Sequence, residues 1–208
     1  MAHFKVFEIP ATIERDLIQF YLDAPAFTLQ ELNSYRAELS QHYGVYFLYY
    51  RGDFELYRNI AERNQAEALK PIYVGKAVST GGRTGRVSLS QNSLFKRLWE
   101  HSRSLEAAAE TLHARDFDAR VIPMGAQLVG WAEGTMIRRL KPLWNTHLSG
   151  FGIHDPGRGR YNQRRSVWDQ IHQGRSWAGK MESVAAYDLE KIRQAIAYDI
   201  DTDLEIPE

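Results

Sequence analysis

Cysteine is absent from the 208 residues of the sequence. Disulfide bonds are therefore excluded, and so are zinc sites built on thiolate ligands. Long apolar runs are absent as well, since no stretch approaches the roughly 18 consecutive apolar residues of a membrane-spanning helix. The N-terminus "MAHFKVFEIP" lacks a signal-peptide pattern. We expect a cytoplasmic protein that does not interact with a membrane.

The sequence also lacks an excess of either charge, because 26 basic residues balance 26 acidic residues. The charges are nevertheless sorted along the chain. Residues 74–104 contain six basic residues and one acidic residue, and residues 138–180 contain nine basic and two acidic residues. A polyanion responds to local potential rather than to net charge. These two blocks favour a phosphate-binding surface, with ordinary solvated charge as the alternative.

Hydrophobic residues make up 44% of the chain and aromatic residues 12%, which is typical of a folded globular domain. Periodicity predicts a single domain over 1–208 with an α/β fold, in which helices sandwich a small sheet that contains antiparallel strands. An N-terminal helical extension over 1–43 precedes a core over 44–145, and a C-terminal loop and helix follow over 146–208.

The predicted elements follow one another with recognisable boundaries. Helices are expected over 11–23, from Thr28 with Glu31 in a capping box, from Ser93 through 112, over 126–141 and over 183–200. Strands are expected over 44–51, 72–77 and 117–125, with a further short strand possible at 4–9. The first two of the three main strands should pair antiparallel. Long loops are expected over 79–92 and 146–181.

Two of these strands each carry a tyrosine near a glycine. The first strand begins with "GVY", which includes Tyr46, and the second contains "YVG", which begins with Tyr73. A hairpin with two aromatic core residues is one interpretation. The alternative is that the strands hold two phenols rigidly at a site of chemistry.

The predicted helices carry further reactive side chains. Arg97 and His101 are four residues apart and therefore share one helix face. Glu133 lies among apolar or small neighbours on the next helix, and Asn145 follows that helix. A lone carboxylate in such surroundings needs a cation, an ion pair or water as a partner. Taken singly, Glu133 is explained by a surface ion pair and His101 by an ordinary helix histidine.

Taken together and in this order, the residues resemble the GIY-YIG nuclease superfamily. The resemblance covers residues 44–145, with valine in place of isoleucine in both motifs and long insertions at 52–70 and 78–92. It implies hydrolysis of a nucleic-acid phosphodiester with one divalent metal ion, Mg²⁺, for which Mn²⁺ is a possible substitute.

The resemblance also implies roles for the motif residues. Glu133 is the expected metal ligand, and Arg97 is expected to neutralise a phosphate oxygen. Tyr46 is the candidate that orients or deprotonates the attacking water, with His101 accepting the phenol proton. The remaining roles are water or phosphate positioning by Tyr73, a lowered phenol pKa from Lys76, and orientation of Glu133 or its backbone by Asn145. Which tyrosine acts as the base stays open.

The extensions around the core resemble the type II restriction endonucleases of this superfamily, in particular the branch that cuts CCGCGG. That resemblance implies a homodimer on double-stranded DNA, with the N-terminal helices or the C-terminal helix as dimer surfaces, and a cognate DNA methyltransferase acting on the same site. The expected DNA-binding residues are Arg83, Arg86, Arg158, Arg160, Asn162, Gln163, Arg164 and Arg165. A repair or structure-specific nuclease, or a DNA-binding module without catalysis, are the alternatives.

Overall fold

The computed structural model describes residues 9–78 and 93–182, together with Ile192 and Gln194. Several sequence predictions lie wholly or mostly outside these residues. They are the strand at 4–9, the loop at 79–92 with Arg83 and Arg86, and the helix at 183–200.

A four-stranded antiparallel sheet forms the centre of the described chain. Its strands are β1 (Ala26–Thr28), β2 (Gly44–Tyr50), β3 (Tyr73–Ala77) and β4 (Phe117–Pro123), in the spatial order β1-β4-β2-β3. Strand β2 pairs antiparallel with both β3 and β4. All seven of its residues are buried, as expected for a continuous apolar run covered on both faces. The three main strand predictions and the pairing of the first two are confirmed.

Seven α-helices surround this sheet within the described residues. They are α1 (Ala11–Asp23), α2 (Arg36–Leu39), α3 (Arg58–Arg63), α4 (Leu94–Ala107), α5 (Ala126–Leu140), α6 (Leu143–Thr146) and α7 (Val167–Ile171). Short 3₁₀ helices lie at Leu29–Tyr35, Glu55–Tyr57, Ala114–Asp116, Arg158–Arg160 and Ala178–Lys180. None of the helices in the described segments combines the length and apolar character that crossing a bilayer requires.

The predicted helices over 11–23, from Ser93 and over 126–141 are confirmed. The helix expected from Thr28 is instead mainly a 3₁₀ helix followed by the single turn α2. The predicted capping box is wrong, because the Thr28 side chain makes no capping hydrogen bond. Thr28 is the last residue of β1 and pairs with Asp118 of β4. The loop expected over 146–181 contains α7 and two 3₁₀ helices.

The two faces of the sheet carry separate hydrophobic clusters. Alternation along β2 directs Tyr46, Leu48 and Tyr50 toward α4 and the C-terminal segment. The intervening residues Val45, Phe47 and Tyr49 contribute to the opposite cluster with α1 and α5. Tyr46 therefore faces the buried side of α4, which carries His101 among apolar residues.

Candidate active site

The register of β2 and β3 explains why the second tyrosine motif ends in a glycine. Tyr46 lies directly opposite Gly75. A Cβ added at Gly75 would overlap the Tyr46 hydroxyl oxygen, so a side chain there would displace the phenol. The Tyr73 ring lies beside it, with a centroid distance of 6.3 Å. The two phenols thus share one face of a hairpin-like pair of strands.

Helix α4 brings an imidazole to the first phenol. Ser93 caps this helix and accepts a hydrogen bond from the backbone N–H of Lys96. The His101 Nε2 atom lies 2.6 Å from the Tyr46 hydroxyl oxygen. Tyr46 is 0% exposed and His101 2% exposed. The His101 ring also contacts Tyr73, at a centroid distance of 5.3 Å.

The surroundings fix the direction of the Tyr46–His101 hydrogen bond. Burial is the main cause that raises the pKa of Tyr46 well above 10.0, and the nearby Tyr73 adds to this rise. The charge and the hydrogen bond of Arg97 act in the opposite direction but do not cancel it. Burial and the charge of Arg97 lower the pKa of His101 well below 6.5. At neutral pH the phenol therefore keeps its proton and donates it in a hydrogen bond to a neutral imidazole. The charge of Arg97 acts to lower the pKa of both phenols, and the same role for Lys76 stays a prediction.

Lys76 forms an ion pair with Glu133, with 2.6 Å between Nζ and Oε2. Helix α5 packs beside the edge strand β3, on the face opposite α4, and presents this carboxylate at the sheet edge. Burial is the main cause that raises the pKa of Tyr73 to about 12. The charge of Arg97 opposes this rise, and the negative charge of Glu133 adds to it. Its charge raises the pKa of Tyr46 as well. Glu133 is therefore electrostatically coupled to both phenols.

Glu133 provides a donor that suits a hard divalent cation. The described residues contain no group of three or more histidine, aspartate, glutamate or cysteine side chains that could enclose a metal. Mg²⁺ is commonly bound by one or two carboxylates together with waters and substrate phosphates. The ion pair with Lys76 shows that this carboxylate already accommodates positive charge. The residues present thus fit a magnesium ion that shares its coordination with the substrate.

Asn145 supports the edge strand. Its Nδ2 group donates to the carbonyl oxygen of Val74, and the Val74 N–H donates to Oδ1, both at 2.8 Å. These contacts are to Val74, and the expectation that Asn145 orients Glu133 or its backbone stays a prediction. The amide holds the backbone between Tyr73 and Gly75, and so it fixes the motif that carries Tyr73 and lies opposite Tyr46.

A family of known proteins matches this chain. The model of the Eco29kI GIY-YIG domain family matches residues 38–200, which include β2, β3, α4 and α5. The chain belongs to this family. It is a restriction endonuclease family, so the chain is a nuclease and DNA is its substrate. A search of curated proteins found no match to the chain.

This GIY-YIG domain also uses residues that sequence reasoning missed. Phe151 stacks on the His101 ring, with centroids 4.5 Å apart and planes inclined by 19°. It contacts the Tyr73 ring at 5.0 Å. A Cβ at Gly152 would overlap the Tyr73 hydroxyl oxygen, so the chain passes very close to this phenol. Glycines on both sides of Phe151 were the sole signal in the sequence.

His154 continues this segment and contacts the Arg97 guanidinium. Arg97 also donates to Glu100 at 2.7 Å, and its side chain is 15% exposed. No site role was predicted for His154 from the sequence. The structure places it against the arginine of the GIY-YIG domain.

The basic block after His154 is largely exposed in this GIY-YIG domain. Its exposed members are Arg158, Arg160, Asn162, Gln163 and Arg164. Arg165 differs, because it donates to the backbone oxygens of Ala178 and Gly179. Arg165 therefore has a structural role within the C-terminal segment, whereas the other five offer donors to solvent.

Proposed function

We propose that the chain is a type II restriction endonuclease that hydrolyses both strands of a GC-rich palindrome, CCGCGG or a close variant. The observation that carries this proposal is the buried Tyr46–His101 pair beside Tyr73 and Arg97, in a chain of a restriction endonuclease family. Each of these groups has a chemical task in phosphodiester hydrolysis.

Tyr46 and His101 form a proton relay in this proposal. The attacking water gives a proton to the phenol oxygen, while the phenol passes its own proton to Nε2 of His101. The water oxygen bonds to phosphorus, and the bond from phosphorus to the leaving oxygen breaks, so that the leaving oxygen departs with the electron pair and takes a proton from solvent. Concerted transfer avoids a free phenolate, which the raised pKa of Tyr46 makes unfavourable. The neutral imidazole has an acceptor atom 2.6 Å away.

Arg97 and Tyr73 act on the phosphate. The guanidinium of Arg97 neutralises charge on the nonbridging oxygens as the transition state forms. Its proximity to the Tyr46 phenol supports this assignment, because the water and the phosphate must meet at one point. Tyr73, a half-buried residue, positions the water or a phosphate oxygen with its hydroxyl.

Glu133 holds Mg²⁺, with Mn²⁺ as a possible substitute. The bound ion supplies positive charge to the reacting phosphate. Lys76 holds the carboxylate at the edge of β3 through their ion pair. Among the motif residues Glu133 is the acid, which is why the metal is assigned to it.

The palindrome requires two active sites related by a twofold axis, so we propose a homodimer on double-stranded DNA. Helix α1 supports an N-terminal dimer surface, because Ile13, Phe20 and Leu22 are 41%, 67% and 43% exposed. The exposed donors of the block that follows His154 are suited to guanine, since arginine binds guanine with two hydrogen bonds. A cognate methyltransferase would modify the same sequence.

Digestion of plasmid DNA that carries CCGCGG, with Mg²⁺ or with EDTA, tests the proposal. Discrete fragments that require Mg²⁺ and whose ends map to one sequence are expected. A smear indicates nonspecific cleavage, and a retarded but uncut band indicates binding without catalysis. Glu133→Ala should abolish cutting and retain binding in a gel-shift assay. Glu110→Ala, at an exposed glutamate on the surface, is the control and should cut normally.

A further inference from the structure

Arg175 is a buried arginine whose five N–H donors are all used. It is 6% exposed. Two donors bind the Asp169 carboxylate, from Nε to Oδ1 and from an Nη atom to Oδ2, each at 2.6 Å. The other three bind the carbonyl oxygens of Gly150, Phe151 and Ile153 at 2.9, 3.0 and 3.0 Å.

The surroundings of Arg175 are built to hold one orientation. The guanidinium carbon lies 4.6 Å from the ring centroid of Trp168 and 4.7 Å from that of Trp177. Asp169 is fixed in turn, because the Ser166 hydroxyl donates to it at 2.6 Å. A buried ion pair is weak evidence for stability. The three hydrogen bonds from Arg175 to the backbone of one loop indicate that this arginine positions the loop.

The loop held by Arg175 forms a wall of the proposed active site. Phe151 stacks on His101, and Gly152 passes against the Tyr73 hydroxyl. Gly150 has a φ of 123°, a backbone conformation that glycine adopts readily and other residues do not. Glycines on both sides give Phe151 little intrinsic conformational restraint, so external hydrogen bonds must hold it.

We propose that Arg175 is a positioning residue for catalysis. By holding the carbonyl groups of Gly150, Phe151 and Ile153, it fixes the Phe151 ring against His101 and thereby the imidazole that receives the proton from Tyr46. This inference rests on the proposed function of the same site. A lysine cannot replace the arginine, because it offers three donors from one atom instead of five in a planar fork.

The test compares Arg175→Lys with Arg120→Lys in the full chain. Arg120 is also 6% exposed. It donates to the Tyr49 hydroxyl and lies in the cluster on the opposite face of the sheet. Both variants exchange a buried arginine for lysine, so both lose stability in urea unfolding. Only Arg175→Lys should lower the single-turnover cleavage rate, by about 10- to 100-fold, with DNA affinity in EDTA unchanged.

Two readouts separate positioning from loss of stability. His101 faces Tyr46 from β2, Tyr73 from β3, Arg97 from its own helix, and His154 and Arg175 from the C-terminal segment. Loosening Phe151 admits water to the imidazole, so the acidic limb of the pH–rate profile should move to higher pH. Phe151→Leu, which retains an apolar side chain, should shift the profile in the same direction if Arg175→Lys does not fold.

The nuclear magnetic resonance signals of the His101 ring give a measurement independent of cleavage. In the free protein, Arg175→Lys should change these signals and Arg120→Lys should leave them unchanged. If the wild type fails to cut but the His101 signals respond in this way, the positioning role stands and the proposed function falls. Equal rates and equal His101 signals in the two arginine variants would overturn the inference.

Discussion

Protonation of a second buried histidine should control stability below neutral pH. The Tyr57 hydroxyl donates to Nε2 of His172, and the Nδ1 atom of His172 lies 2.8 Å from the Thr111 hydroxyl oxygen. Tyr57 and His172 are both 0% exposed. Burial, with the charge of Arg175, lowers the pKa of His172 from 6.5 to about 3. Folding therefore requires the neutral imidazole.

The size of the effect follows from the two pKa values of His172. Because its pKa in the folded state is below its pKa in the unfolded state, the unfolded state binds more protons between about pH 3 and pH 6.5. Stability conferred by the neutral imidazole is complete above pH 6.5 and falls as the pH decreases through this window. Between pH 7 and pH 5 the loss amounts to about 2 kcal/mol at about 1.36 kcal/mol per pKa unit.

Urea unfolding of wild type and His172→Gln at pH 7 and pH 5 measures this contribution. The glutamine does not titrate, and its amide oxygen can still accept from Tyr57. The wild type should lose about 2 kcal/mol more than the variant on going to pH 5. His42→Gln, at an exposed position, should lose as much as the wild type. Equal losses in the wild type and in His172→Gln would refute a buried neutral imidazole at this position.

Substitutions at three residues of the site, Arg97, Gly75 and Asn145, probe it directly. Arg97→Ala should lower the cleavage rate by about 10²-fold or more, as removal of a single transition-state donor does, whereas Arg103→Ala on an exposed part of α4 should not. Gly75→Ala should displace the Tyr46 hydroxyl, abolish cutting and cost about 1–3 kcal/mol in urea unfolding; an unchanged rate would contradict the packing described. Asn145→Ala should cost about 1–3 kcal/mol in urea unfolding through two lost backbone hydrogen bonds, and Asn145→Asp should cost at least as much, because it retains the acceptor but sets a carboxylate oxygen against the Val74 carbonyl oxygen.

The elements predicted correctly are those with a strong local pattern, either a continuous apolar run or a long helical repeat. β2 is a seven-residue apolar run, and α5 repeats apolar residues at helical spacing over 15 residues. The three residues of β1 are too few to carry alternation, and its pairing depends on β4, about 90 residues later. The same pairing draws Thr28 into the sheet and removes it from the expected cap. Long-range pairing overrode local propensity there.

In the candidate site as well, the sequence pointed to some residues and gave little signal for others. The resemblance pointed to Tyr46, Tyr73, Arg97 and His101, which the structure brings together. Strand alternation and helical spacing place such residues on predictable faces. Phe151 and the other residues of the C-terminal wall depend on contacts between loops, for which the sequence has no periodic signal. The pairing of Lys76 with Glu133 was missed for a related reason, since it joins an edge strand to a helix on the other face.

Two tyrosine–histidine pairs among the described residues show that such a pair alone does not make a site for phosphodiester hydrolysis. Burial raises the phenol pKa and lowers the imidazole pKa in both pairs. Tyr57 and His172 are enclosed by aromatic rings and a threonine hydroxyl. Tyr46 and His101 instead have Arg97 beside them, a group able to neutralise a phosphate. Phosphodiester hydrolysis requires a group that binds the phosphate anion and a proton acceptor at one point, and of these two pairs only Tyr46–His101 has both beside it.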